Sequence, residues 1–586
     1  MKKRYIAISA IALAAAVTAG AQNLNPTVEV TNQFEGKVME VAKPVVDMDV
    51  PDSLLRFDLD FDYSVFDTPY KGAYEFSPYL LDIRPEAEAA GGRKLYLKAG
   101  AGYSLHPTLD LVYTPELNIP LQLNVYAQHR SYFGDYKVRL GDWSRDFKGY
   151  DAKTRAGVDG RFDFKDGALT FDVGYYGIHT KEGDATMPGK EFSDDETAGF
   201  NALDLKARVR SINDASEYFL YDAALSFRAG KQASNLRDKL NVNDFVFDGT
   251  FGPVLSDKIR ILMDVHVGIN AYSGLFSTHT GTAWLTPKYV WTYDRWRISA
   301  GARLATTLHS SNEWMGFALG TRKSQRIYPD ARVGYEALAD RLNLYAELTG
   351  GDHVWSYSEM KEDNHFFSPV SGRGLVALSD NSVEHFRLRA GVQGNIAAKF
   401  RYDLSAGYAI ISNGLLDAVV PVWDLGMGDS AREINRPFDG TRDYLLPSMA
   451  YANYSLLFVK GSFAYDAKPV SVRGGFNYGS PKLKDFTVGF PPSKSAELAV
   501  RYNWHDRISF AVSAEGVAKR SGTVANIADP VVIPGFVNLG LQGEFALTRK
   551  LSVWAQAGNL LNQNIQRHPL YPESGIHFTG GLILNL

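Results

Sequence analysis

From residue 93 to Leu586 one pattern repeats: a run of alternating apolar and polar residues, a short turn, a second such run, then a longer polar connection. Successive side chains of a strand point to opposite faces, so this alternation gives each run one oily face and one polar face. Ile259, Ile261, Met263, Val265, Val267 and Ile269 share one side, and Arg260, Asp264, His266 and Asn270 the other. Likewise Leu498, Val500, Tyr502 and Trp504 oppose Glu497, Arg501 and Asn503, while Phe386, Leu388, Ala390 and Val392 oppose His385, Arg387, Arg389 and Gln393. The count is about 22 runs, an even number. Short connections such as 294–295, 339–341, 505–507 and 548–550 alternate with long ones at 131–153, 180–197, 351–383, 412–446, 478–496 and 518–535. The long ones are rich in Gly, Asp, Ser and Pro, as outward loops are.

A sheet this long leaves reactive edges unless it closes on itself. Alternation alone also fits a soluble sandwich, in which two oily faces pack together and the polar faces meet water. The number of runs, the unequal connections and the aromatic residues near run ends (Tyr289, Trp291, Tyr478, Tyr502 and Trp504) favour lipid as the partner of the oily side. The fold expected is all-β: a transmembrane antiparallel β-barrel of about 22 strands over 93–586. Mean hydropathy is −0.20, and past the N-terminus no apolar run approaches the roughly 20 residues of a spanning helix.

Residues 1–21 read as a secretory leader: Lys2, Lys3 and Arg4, an apolar run, then Ala19-Gly20-Ala21. Removing it moves the formal charge from −4 to −7, which gives no reason to expect a nucleic-acid partner. Residues 22–92 form a short N-terminal segment, periplasmic or lumenal. The chain has no Cys, which excludes disulfides, thiolate metal sites and a lipid-modified cysteine. Asp58, Asp60 and Asp62 have the spacing of a calcium loop, yet Tyr63 and Pro69 stand where that loop needs Gly and Glu. A half-buried strand with an acidic face is the better reading. The 12 histidines show no metal-pair spacing; His266, His385 and His577 fall on polar strand faces. Gly428-Asp429-Ser430 lacks the strand–turn–helix setting of a nucleophile elbow. No catalytic residue, cofactor or metal is expected.

The polar faces carry the functional signal. Lys153, Arg155, Asp159, Arg161 and Asp163 fall on one run, and Asp204, Lys206, Arg208 and Arg210 on another; Arg260, Asp264, Arg387 and Arg389 continue the set. Inside a barrel these residues line the lumen. Their interleaved signs suit a wall that binds a filling segment or domain better than a pore selecting one sign of ion. A barrel of about 22 strands is also wide enough to need something inside it.

The closing stretch 555–586, AQAGNLLNQNIQRHPLYPESGIHFTGGLILNL, resembles the end of the TonB-dependent receptor family. Asn559-Leu560 match its Asn-Leu pair, Tyr571-Pro572 its Tyr-Pro loop, and Gly581, Leu584 and Leu586 its Gly-x-x-apolar-x-apolar ending, with Leu586 where the family usually has an aromatic. The resemblance implies a 22-stranded barrel in the outer membrane of a Gram-negative cell. It also implies that Gly581, Leu584 and Leu586 are the signal read by the outer-membrane assembly machinery. Family members place a globular plug before the barrel, and 22–92 is too short to hold a full one. Thr27, Val28, Glu29 and Val30 resemble the TonB box, which pairs by strand addition; an ordinary extended tail is the alternative. Two functions remain open. One is transport, the uptake or passage of a ligand across the outer membrane, with TonB as partner. The other is a non-transporting structural subunit that binds envelope proteins or a separate plug.

Overall fold

The computed structural model describes residues 94–586 apart from short stretches of turn and loop, the longest being 368–379 and 423–443. The expected leader, the Thr27–Val30 box and Asp58, Asp60 and Asp62 lie outside the described residues. Twenty-two strands form one antiparallel sheet. In chain order the strands are β1 (Leu95–Tyr103), β2 (Thr108–Tyr113), β3 (Leu121–Leu140), β4 (Trp143–Phe164), β5 (Gly167–Ala185), β6 (Asp194–Arg210) and β7 (Phe219–Ser234). Next come β8 (Leu240–Ser256), β9 (Ile259–Gly274), β10 (Thr278–Tyr293), β11 (Trp296–Thr307), the small loop pair β12 (Asn312–Trp314) and β13 (Phe317–Leu319), and β14 (Ser324–Leu338). After β15 (Leu342–His353) comes helix α1 (Tyr357–Asp363), then β16 (Ser382–Ile396), β17 (Phe400–Val422), β18 (Tyr444–Ala467), β19 (Val470–Leu483), β20 (Ser495–Trp504) and β21 (Ile508–Val517). The set ends with the loop pair β22 (Arg520–Gly522) and β23 (Val531–Ile533), β24 (Phe536–Ala546), β25 (Leu551–Gly558), the loop pair β26 (Gln566–His568) and β27 (Tyr571–Pro572), and β28 (His577–Asn585).

Each barrel strand pairs with its neighbours in sequence, and β28 pairs with both β25 and β1, which closes the ring. Leu97 sits opposite Leu584 and Gly100 opposite Gly581. The terminal backbone takes part: Leu586 N donates to Leu95 O at 2.9 Å, and Leu586 O accepts from Leu95 N at 3.0 Å. Gly581 is required by space, since a Cβ there would stand 1.9 Å from the Ala99 carbonyl oxygen.

The outward side is oily. Ile261, Met263, Leu285, Leu388, Leu498 and Leu582 are all exposed, and in a membrane they meet lipid. Exposed aromatics border this band: Phe162, Phe164, Tyr293, Trp296, Tyr502 and Trp504 at the short-turn end, Phe133, Tyr175 and Phe578 toward the other. The tight turn at Asp294 uses a positive φ of 51°, which Asp tolerates.

Strand length divides the ring. β2 has 6 residues, β25 has 8 and β28 has 9, against the 9–11 or so that a tilted strand needs to cross a bilayer. β4 has 22, β17 has 23 and β18 has 24. At about 3.3 Å per residue, β4 is roughly 70 Å long, more than twice what the oily band of about 25 Å requires even when tilted. Much of 131–153 and 180–197, expected as loop, is therefore paired strand, and so are both ends of 412–446.

Above the aromatic border the alternation changes phase. On β3 the outward residues run Leu121, Leu123, Val125 and then, past Phe133, Asp135, Lys137 and Arg139. The inward residues run Gln122, Asn124 and then Tyr132, Tyr136, Val138 and Leu140, the last four buried. On β6, Leu205 and Leu203 outside give way to Asn201, while Lys206 and Asp204 inside give way to Ala202 and Phe200. On β8, Phe247 and Phe245 outside are followed by Asn243 and Asn241, with Asp244 inside followed by Val242 and Leu240. The outward side has passed from lipid to water. The inward side has passed from a polar lumen to a packed core.

Candidate functional site

The inner wall is a network of ion pairs. Asp159 is buried and accepts from Asn124 Nδ2 at 3.1 Å. Arg161 pairs with Asp163 at 2.8 Å. Arg228 Nε pairs with Asp204 at 2.6 Å, and Arg208 Nε donates to Asp222 at 2.8 Å. Lys206 stands opposite Asp172 and Ser226 in register, and Arg155 opposite Gln128 and Tyr176. Asp264 is buried against Lys288, which reaches Asp330 at 3.6 Å; Arg303 meets the same Asp330 at 3.4 Å. Arg260 is half-buried on the inner face of β9. Arg387 pairs with Glu384, and Arg389 with Glu347, each at 2.9 Å. Such pairs at low effective dielectric fix side chains firmly, because breaking one partner strands the other charge.

Of the three histidines, His266 lies 2.6 Å from Asp248 and stacks on Trp284, and His577 stacks on His106 with ring centroids 4.4 Å apart. His385 sits at a register shift, is exposed, and meets Ser412 at 2.8 Å. Among the described residues no group of three or more His, Cys, Asp or Glu side chains is arranged to hold a metal.

The packed core at the tall strand ends is a lid. The segment after β15 folds inward and forms α1, capped by Ser356, whose Oγ accepts from Glu359 N at 3.0 Å. Tyr357, Met360 and Phe367 bury against Phe200, Leu240, Val242 and Tyr272 of the tall wall. Tyr357 N donates to Tyr272 Oη at 3.0 Å. Lys153 and Arg228 both reach Glu362, at 3.4 and 3.8 Å, and His365 meets Asp151 at 2.7 Å. Burial alone would raise the Glu362 carboxyl, but the charges of Lys153 and Arg228 hold it below the usual range.

A second group of segments completes the lid. The register of β17 with β18 shifts between Ile411 and Gly414, where Asn413 has a φ of 52°, and the hairpin then reaches inward. Val419 near its tip packs with Tyr132, Tyr136 and Leu140 of β3, on the far side of the ring, together with Phe490, Ile533 and Leu570. Buried Asp417 accepts from Arg520 Nη1 at 3.0 Å and lies 3.0 Å from His568 Nδ1. The other imidazole nitrogen, Nε2, lies 3.2 Å from Asp363 at the end of α1. With a carboxylate oxygen at each ring nitrogen, both nitrogens donate and the ring is an imidazolium. Burial opposes that charge, but Asp417 and Asp363 outweigh it and push the His568 pKa up to about 10. Phe366 fills the remaining seam between Tyr136, Phe147 and Tyr571, at centroid distances of 5.5, 6.5 and 6.3 Å.

The lid was not among the expectations read from the sequence. Asp363, His365, Phe366, Asp417 and Arg520 sit in stretches taken as outward loops, and His568 in the closing stretch 555–586. The signal that could have found them is the phase change of β3, β6 and β8, which requires an apolar partner inside the mouth.

A closed ring with an oily outer band and a charged lumen defines a transmembrane β-barrel of the outer-membrane type. No family model matches the sequence, and no curated protein is similar to it in sequence. Solved structures are similar. The FrpB iron transporter from Neisseria meningitidis (F5-1 variant) aligns with a TM-score of 0.60 at 9% identity, over 84% of this chain and 82% of that one. The copper transporter OprC gives 0.58 at 14% identity, over 84% and 80%. A mutant ferric enterobactin receptor, PfeA, from Pseudomonas aeruginosa gives 0.57 at 10%, over 84% and 80%. The chain has the 22-stranded barrel of TonB-dependent receptors, and at these identities the likeness is one of fold.

Proposed function

We propose that the protein is an outer-membrane transport protein of the TonB-dependent receptor kind, which takes up or passes a ligand through the charged lumen under the lid. The observation that carries this reading is the combination of a lumen lined with ion pairs along its length and a mouth closed by loops rather than by the barrel wall. A ligand captured by the outer loops would displace the lid and then meet a wall of both charge signs. Thr27–Val30 is the proposed contact for TonB, and Gly581, Leu584 and Leu586 the proposed assembly signal. Single-channel recording in planar bilayers tests the path: a gated conductance supports transport. Electrical silence with stoichiometric co-purifying proteins overturns it.

A second reading, a non-transporting subunit that binds envelope partners, is favoured by how thoroughly the lid is interlocked. Crosslinking from Val28→Cys to TonB separates the two, since an adduct is expected only for an energised transporter.

A further inference from the structure

The lid consists of two leaves with separate cores. Tyr357, Met360 and Phe367 of the α1 leaf pack on the wall formed by β5, β6, β8 and β9. Val419, Phe490, Ile533 and Leu570 of the other leaf pack on β3. The two clusters share no residue. Between the leaves Asp363 meets His568 at 3.2 Å and Phe366 meets Tyr571, while Leu415 and Met449 of the β17–β18 hairpin pack against the α1 cluster.

The ties differ in strength. Asp417 and Arg520 hold His568 within the second leaf and are 12% and 3% exposed, so solvent screens them little. Asp363 is 50% exposed, and its bond across the seam is screened by water and salt. The α1 leaf is also poorly satisfied on its underside. The Asp244 carboxylate is buried there against Ser358, and Tyr176 Oη and Tyr357 Oη are buried without a hydrogen-bond partner. Buried polar groups left so are costly, and water reaching them recovers that cost. The tie across the seam is thus weaker than the ties within the second leaf.

We propose that the α1 leaf is the moving part of the outer gate: it lifts from the β5–β9 wall while the second leaf stays, with Asp363–His568 as the latch and buried Asp244 as the spring. The inference rests on the transport reading for its purpose, but its test reads lid movement without any transport.

The chain has no Cys, so Ser358→Cys supplies one thiol on the underside of α1, where Ser358 is 4% exposed. A membrane-impermeant maleimide added to intact cells labels it only when the leaf lifts. Adding Asp363→Asn is expected to speed labelling about three- to fivefold, the population change that a half-exposed ion pair supports. Adding Asp244→Leu, which removes the buried carboxylate beneath α1, is expected to slow it about tenfold. Asp146→Asn, which breaks an exposed pair on the outer face of β3–β4, leaves the rate unchanged. Heat-dependent gel mobility verifies that each variant is a folded barrel. Labelling at the parent rate in both Asp363→Asn and Asp244→Leu overturns the proposal, as does equal acceleration by Asp146→Asn. A barrel that never conducts in bilayers yet shows these labelling changes would end the transport reading and keep the gate.

Discussion

The wall from β3 to β10 and the wall from β20 through β28 to β2 are built from the same alternation and end differently. On the low wall the strands stop where the oily band stops, and the loops above them, carrying Arg520, Ile533 and His568, turn into the mouth. On the tall wall the strands continue, and their two faces exchange character: charge outside, apolar core inside. A strand therefore reports two solvents, and the position of its phase change marks the membrane surface. The difference teaches that the lid is built from both sides. Tall strands supply the surface, and loops from the low and far walls supply what covers it.

The largest expected effect strikes the low wall. Gly581→Val drives a side chain into the Ala99 carbonyl at the closing seam, at a cost above about 4 kcal/mol, and the heat-modifiable folded band is expected to vanish. Gly268→Ala on the tall wall has its nearest neighbour at 3.2 Å, the far end of the His266 ring, and the folded band is expected to persist. Next comes the second leaf. Asp417→Ala leaves Arg520 and His568 without their shared anion, a loss of about 3–5 kcal/mol. Protease added to intact cells should then cut the outer loops while the barrel bands stay. Phe366→Ala, at the half-buried seam, should cost roughly 2 kcal/mol, below the 3–5 of a fully buried Phe, with a smaller rise in the same cleavage.

A pH titration sharpens the comparison further. The folded His568 pKa is raised above its ordinary 6.5 to about 10. Its stabilisation of the lid is therefore complete below 6.5 and is lost as pH rises through about 10. Loop protection should fall over that window in the parent and stay flat there in His568→Gln, while closure of the low wall does not change. The smallest effect belongs to the outer face: Arg139→Gln at the exposed Arg139–Asp146 pair should shift stability by no more than ~1 kcal/mol.

The sequence made the barrel legible because lipid imposes period-two oiliness on every crossing strand, and nothing else in this chain has that regularity. Leu97 opposite Leu584, the even strand number and the short turns all follow from it. Asp204, Arg389 and Asp264 fall on the polar face of that alternation for the same reason. The lid was not legible. Residues 131–153 look like loop because their outward side is Asp135, Lys137 and Arg139, the composition of a solvated surface. Tyr132, Tyr136 and Val138 on the other side carry the strand signal, but only to a reader expecting apolar side chains inside. The Asp417–His568–Asp363 contact joins residues 54 to 205 positions apart, which no local pattern encodes.

The central claim is that tall strand ends stand outside the membrane with water on one face and the lid on the other. Neighbouring positions on β8 test it directly: Asn241 is exposed on the outer side, and Val242 is fully buried on the inner side. In the Cys-free chain, Asn241→Cys should react rapidly with an impermeant maleimide on intact cells, and Val242→Cys, covered by the α1 leaf, only at the slow rate at which the leaf lifts. Rapid labelling of both would mean that no lid covers the inner face; labelling of neither would mean that these strand ends are not outside the membrane.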